Sequence, residues 1–267
     1  EMVTESVGQI NLTENNITEI PIELFTLPNL RFLNLDSNKI KEIPNEIENS
    51  NISTLLISQN PIQKLPKLPK TLESFYACYC QIEDVSEIFT NCVRISKISL
   101  SGNKIKKFPF LTMSSTFSNL EILSLSQCDL DQFPSEFLIN EEKPCKVTIL
   151  DLSFNAIKLM PVTFSAPYLV DLDLSHNQIE SIADIGRFPQ LITLKIANNP
   201  ISCNMSLLKN FELDSVDFTN IGAAEVSVPM TIREVLTSVT SLQPPYRHMK
   251  PIESGYAQFI GTRNDVN

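Results

Sequence analysis

A run of aliphatic residue, two residues, aliphatic, one residue, aliphatic, two residues, asparagine, one residue, aliphatic recurs along this chain. A recurrence at such a period constrains the fold more than any composition does. Its clearest copies are Leu30, Leu33, Leu35, Asn38, Ile40; Ile52, Leu55, Ile57, Asn60, Ile62; and Leu169, Leu172, Leu174, Asn177, Ile179. Further copies put the asparagine position at Asn15, Cys80, Asn103, Cys128, Asn155 and Asn199, and a worn tenth copy remains at Leu213, Val216 and Phe218. Successive asparagine positions lie 20 to 27 residues apart, so nine units occupy most of the 267 residues.

Alternation around Leu33 and Leu35 makes a short strand with one buried face, because successive side chains of a strand point to opposite sides. The asparagine then turns the chain, and its amide can satisfy backbone groups of the neighbouring coil. Burying one unit's few aliphatic side chains does not offset the entropy of ordering its backbone, so a lone unit cannot fold. Stacking lets strand pair with strand and aliphatic layer cover aliphatic layer, which predicts a solenoid with a parallel sheet on its concave side. On the opposite side, proline follows an aliphatic or aromatic residue at Pro21, Pro44, Pro66, Pro109, Pro134 and Pro161, so convex segments are expected to be extended or 3₁₀ rather than long helices. The longer unit around 134 to 146 has room for one or two helical turns.

The ends differ. Only about six residues precede Val7, so no N-terminal cap is visible in the sequence, which predicts that repeats or a cap stand before it. After the repeats, Thr231 and Glu234 form a capping box, and Ile232, Val235, Leu236, Val239 and Leu242 follow at helical spacing, predicting a helix over 231–242 that lids the last coil. Pro244 and Pro245 end it. The expected organisation is therefore repeats over 1–222, a cap over 223–243, a linker over 244–254 and a separate segment over 255–267.

Composition removes several functions. A balance of 21 basic against 31 acidic groups, net charge −10, disfavours nucleic acid as a partner. Six glycines and no GxGxxG or Walker-type loop leave little to cradle a nucleotide phosphate. With His176 and His248 as the two histidines, a histidine-based metal or acid–base site has little material, and no apolar run is long enough to span a membrane. Cysteines 78, 80, 92, 128, 145 and 203 are scattered, and are read as reduced. Sequons at Asn11, Asn16, Asn51 and Asn204 are no more than 23 asparagines supply by chance.

This motif resembles that of the leucine-rich repeat family over roughly residues 7 to 221. The resemblance implies an α/β solenoid, a curved right-handed superhelix with a parallel concave sheet and a mostly irregular or 3₁₀ convex side. It also implies that Asn15, Asn38, Asn60, Asn103, Asn155, Asn177 and Asn199 form a structural ladder. Cys80 and Cys128 stand in that ladder as a variant known in the family, acting as small buried thiols. Secreted members close their ends with cysteine clusters, and no cysteine precedes 78 or follows 203, so a cytoplasmic location is expected.

The segment from Gly255 to Asn267 alternates like a strand and resembles the opening of metal-dependent 2C-type serine/threonine phosphatases, with Gly255, Gly261 and Arg263 in that frame. The resemblance implies that Arg263 engages substrate phosphate, a task suited to its planar guanidinium. Asn267 falls where the first of the family's acidic pair stands, so the metal cage is not within this chain. Manganese or magnesium would serve such a domain only, and no cofactor or metal is expected for the residues here.

Side chains flanking the buried strand residues line the concave face. Phe32, Leu56, Tyr76, Tyr79, Ile122 and Phe154 are large and apolar at positions that solvent alone would fill with polar residues, and they are read as a partner-binding stripe. Asp151, Asp171, Asp173 and Asp217 follow toward the C-terminus. Asp151 and Asp173 fall in one column of adjacent strands, an unfavourable pairing that a basic partner relieves, although Lys195 stands next in the column and competes for that role. Carboxylates on a rigid sheet lack the wrapping loop calcium prefers, so no metal is assigned there. Ser175, His176 and Asp173 resemble a triad in residue type alone: serine recurs at that turn as Ser58, Ser101, Ser126 and Ser153, which marks a small turn residue. A single CxC pair at Cys78 and Cys80 does not make a zinc site.

The expectation is a non-catalytic protein-interaction module, the targeting or regulatory region of a larger signalling protein. A 2C-type phosphatase is the domain anticipated beyond it. The rival expectation is a secreted or cell-surface recognition ectodomain, which glycans at Asn11 or Asn51, or linked cysteines, would favour.

Overall fold

A computed structural model describes residues 6–106, 108, 116–134, 146–160, 166–181, 188–201, 215–217 and 219. Each copy of the motif contributes one strand of three residues: β1 Gln9–Asn11, β2 Phe32–Asn34, β3 Thr54–Leu56, β4 Ser74–Tyr76, β5 Lys97–Ser99, β6 Ile122–Ser124, β7 Ile149–Asp151, β8 Asp171–Asp173, β9 Thr193–Lys195 and β10 Ser215–Asp217. Among the described residues these strands form one parallel sheet in strict sequence order. Register is kept at every step, so that Leu33 faces Leu55, Leu55 faces Phe75 and Leu150 faces Leu172. The worn tenth copy keeps it too, with Val216 opposite Leu194.

Parallel pairing of such short strands is prolonged by bonds just beyond them. Leu35 N–H donates to Leu56 O at 2.8 Å, Ser37 N–H to Ser58 O at 2.9 Å, and the same pair of bonds returns from coil to coil. The chain can then turn because the residue before the ladder position is left-handed: Glu14, Ser37, Gln59, Tyr79, Gly102, Gln127, Phe154, His176 and Asn198 all have positive φ.

Inside the coils lies a continuous apolar core. Its strand layer, Leu33, Leu55, Phe75, Ile98, Leu123, Leu150, Leu172 and Leu194, is almost wholly removed from water. Prolines act as read from the sequence where the convex side is described. Pro21 and Pro44 take extended conformations immediately before 3₁₀ segments at Ile22–Thr26 and Asn45–Asn49, each anchored by one buried residue, Phe25 or Ile47. A proline fits there because its N–H is not needed by the first turn. A third 3₁₀ segment, Thr116–Asn119, contributes Phe117 to an aromatic cluster with Phe75, Phe89 and Phe108.

The helix expected over 231–242, the boundaries at 222, 243 and 254, the helical turns expected within 135–145 and the phosphatase-like segment with Arg263 lie outside the described residues. Among the described residues no helix is long and apolar enough to cross a membrane.

Candidate functional site

The ladder fixes the geometry of the concave face, because it sets how each coil sits on the next. Asn60 shows the pattern: its Nδ2 donates to Leu35 O, Ile57 O and Ser58 O at 2.9 to 3.2 Å, and its Oδ1 accepts from Ile40 N at 3.0 Å. Asn38, Asn155, Asn177 and Asn199 repeat both halves, each tied to a carbonyl and an N–H of the preceding coil. Asn103 does the same toward Ala77 O and Ile82 N. Asn15, in the first coil, is exposed and donates only within its own turn. Cys80 Sγ reaches Ile57 O and Cys128 Sγ reaches Leu100 O, so the thiols reproduce the donor half of the amide. Cys78, Cys80, Cys92 and Cys128 are free and buried. Burial pushes the thiols of Cys80, Cys92 and Cys128 up to about 12, which keeps them protonated and inert.

On the concave face the first and third residues of each strand form two outward columns. Phe32 and Ile122 stand half-buried in the first, and Tyr76 half-buried in the third. Leu56 departs from expectation. It points to the concave side, opposite Leu55, yet it is fully buried while standing apart from the main core cluster. It is set between Asn34 and Tyr76 in the register, where the inward curve crowds neighbouring columns, and it offers no surface to a partner. Tyr79 and Phe154, by contrast, sit in the left-handed column beside the sheet and remain 42% and 52% exposed. Phe154 stacks on His176 with ring centroids 4.0 Å apart and planes at 11°, and His176 Nε2 lies 3.1 Å from Asn198 Nδ2.

Between the two aromatic groups Ser101, Ser124 and Ser153 are buried, and their hydroxyls are taken up in a network. Ser101 Oγ and Ser124 Oγ are 2.6 Å apart, and the Ser124 hydroxyl donates to Asp151 Oδ2 at 3.0 Å. Asp151 Oδ1 accepts from Ser153 N at 3.0 Å and from the Ser153 hydroxyl at 2.7 Å. This network was invisible in the sequence beyond the recurrence of serine, which is the one signal that could have found it. Ser175 and His176, grouped with Asp173 by type, serve the turn: Asp173 Oδ1 accepts from Ser175 N, and His176 turns to Phe154 and Asn198.

The carboxylates gather as the register requires. Asp151 pairs with Asp173, and Asp173 with Lys195, whose Nζ lies 3.4 Å from Asp173 Oδ2. Burial, then the neighbouring Asp173, holds the Asp151 carboxyl above the ordinary range. Asp171 is raised by burial, against the opposing pull of Lys195. Burial works to lower the Lys195 ammonium, but Asp173 and Asp171 outweigh it and leave the group raised. Among the described residues no group of three or more histidines, cysteines or acids is arranged to hold a metal ion.

Comparison with known proteins bears on what such a face does. Models described as leucine rich repeat match residues 6–66, 143–158 and 165–182. The chain is 30% identical over 149 residues to the leucine-rich repeat-containing G-protein coupled receptor 5 of Xenopus tropicalis, covering 55% of this chain and 14% of the receptor. It is 28% identical over 164 residues to the mouse oligodendrocyte-myelin glycoprotein, covering 60% of this chain and 35% of that protein. The matched region is thus a minor part of either relative. An internalin of Listeria monocytogenes shares the fold at a TM-score of 0.63 and 19% identity, over 87% of this chain and 72% of that one.

These relatives belong to the cell surface, and they overturn the cytoplasmic expectation. That expectation rested on cysteines that are missing from the ends, whereas burial keeps the described thiols free in either compartment. The leucine rich repeat models fall on coils that already have this ladder and sheet, and the chain shares the parallel-sheet solenoid fold of the internalin.

Proposed function

We propose that the chain is a recognition region of a secreted or cell-surface protein and takes a protein partner on the concave face between the fourth and ninth coils. The observation that carries this reading is the exposure of Tyr79 and Phe154 on either side of a stretch of small, buried serines. Tyrosine and other rigid aromatics supply contact area at little entropic penalty, which is why they concentrate in binding surfaces. Asp151, Asp171 and Asp173 give the same face an acidic half, with Lys195 committed to Asp173. The complementary partner presents basic groups, and its capture weakens as salt rises. Tyr76 and Ile122 frame the site, Phe32 extends the same face two coils before it, and Leu56 does not take part.

The test uses purified chain applied to intact cells, followed by amine cross-linking and mass spectrometry. Cross-links through Lys97 and Lys195, which stand on the concave strands, are expected; cross-links confined to Lys39, Lys41 and Lys64 on the flank sink the reading. Tyr76→Ala together with Tyr79→Ala is expected to reduce capture at least tenfold with thermal unfolding nearly unchanged, about 1.4 kcal/mol of binding. N-glycans found at Asn11 or Asn51 on the chain from its own source would independently support the extracellular setting.

A further inference from the structure

Nine coils describe the same left-handed position before the ladder residue, and eight of them fill it with a residue other than glycine. Left-handed backbone therefore does not by itself require Gly102, whose φ is +72°. Space does. A Cβ at Gly102 would fall 2.7 Å from Cε1 and 2.9 Å from Cγ of Tyr79, and closer still to Cδ1. The Tyr79 ring thus lies flat on the backbone of the next coil, in a gap that only a missing side chain leaves. Burial chiefly, then Cys78, Asp151 and Cys128, hold the ionisation of its phenol above the ordinary range.

We propose that Gly102 is a specificity-determining positioning residue, which fixes the ring of Tyr79 as one aromatic contact for an extended partner segment that runs across the coils to Phe154, stacked on His176, and sets a basic side chain beside Asp151. The inference rests on the concave-face reading and names the chemistry it accepts. Gly102 and Gln127 separate the two aromatic contacts in the left-handed column, and Ser99 and Ser124 keep the adjoining strand column small. Asp151 stands at the far end with its carboxylate held by Ser124 and Ser153. An arginine or lysine entering there meets an aromatic face and a fixed carboxylate together, in a chain of net charge −10. Because Tyr79 is already ordered, binding does not have to immobilise it.

The structural half of the test is proton NMR. One Gly102 Hα is expected well upfield of the other glycines, under the Tyr79 ring, and to return to the ordinary range in Tyr79→Leu. The binding half uses a phage-displayed library of random peptides panned on the unmodified chain. Enriched peptides are expected to share an arginine or lysine, and to bind Gly102→Ala about tenfold more weakly while its urea midpoint moves little. In a Tyr79→Ala background the same Gly102→Ala change should alter binding no further. An ordinary Gly102 shift overturns the proposal while leaving concave binding intact. So does equal affinity for Gly102→Ala, or an undiminished loss in the Tyr79→Ala background, which would trace the effect to backbone strain. Peptides whose binding survives Tyr79→Ala and Phe154→Ala combined would sink the concave-face reading and this proposal with it.

Discussion

Asn60 donates to three carbonyls and accepts one N–H, two of these groups belonging to the preceding coil, while it is itself almost wholly buried. Truncating it leaves Ile40 N without a partner in a place water does not reach, while Leu35 O keeps the bond from Asn38 Nδ2, and an unpaired buried group costs about 1–3 kcal/mol. Asn60→Ala is therefore expected to lower stability by about 2 kcal/mol in urea titration, and Asn15→Ala, an exposed position bonded only within its own turn, by less than about 1 kcal/mol. Equal losses would show that the ladder is not what joins the coils. Asp36 is the opposite case, a buried carboxylate that Ser58 alone is seen to support, with a short bond from Ser58 N at 2.6 Å and a second from its side chain. Burial, against the help of Ser58, raises it to about 6. With the folded value above the unfolded one, the native chain holds a proton between about pH 4 and 6 that the unfolded chain has released, so Asp36 lowers stability as pH rises through that window. Asp36→Asn keeps an acceptor for Ser58 and removes the charge. Urea unfolding should find the variant more stable than the parent at pH 7, by on the order of 3 kcal/mol, with the gap closing by pH 4.

Strands of three residues hold because each inner one, from β2 to β9, has a partner on either side and a bulky residue beneath. At the fourth and fifth coils that support is aromatic. Phe89 is fully buried, edge-on to Phe75 at 5.7 Å and to Phe117 at 5.8 Å, and 6.3 Å from Phe108. Phe89→Ala opens a cavity that the flanking strands cannot close without losing register, and is expected to cost about 3–5 kcal/mol. Hydrogen exchange should show faster opening at β4 to β6 than at β8 and β9; a uniform change would argue against near-neighbour coupling. All ten strands could be read from the sequence because the period-two alternation and the turn amide act within a dozen residues. Leu56 and Tyr79 could not. Alternation states which side of a strand a residue faces, but what covers it depends on the next coil, as with Tyr76 beside Leu56 and the ring of Tyr79 over Gly102. Prolines were legible for a similar reason to the strands: Pro21 and Pro44 act on the turn they begin.

Across the molecule, unit length and strand register are independent. The coil from Cys128 to Asn155 spends 27 residues where the coil from Asn60 to Cys80 spends 20, yet Ile122 faces Ile149 as squarely as Thr54 faces Ser74. The ladder and the inter-coil bonds hold the inner wall to one spacing whatever the length of the unit. The family resemblance implied this architecture, while the compartment was misjudged from cysteines that were not there. A ruler of constant graduation follows from the constant register: a mutation that lengthens the outer side of a coil leaves the address of every inward side chain where it was, so the outline of the protein and the pattern it displays can drift separately over generations.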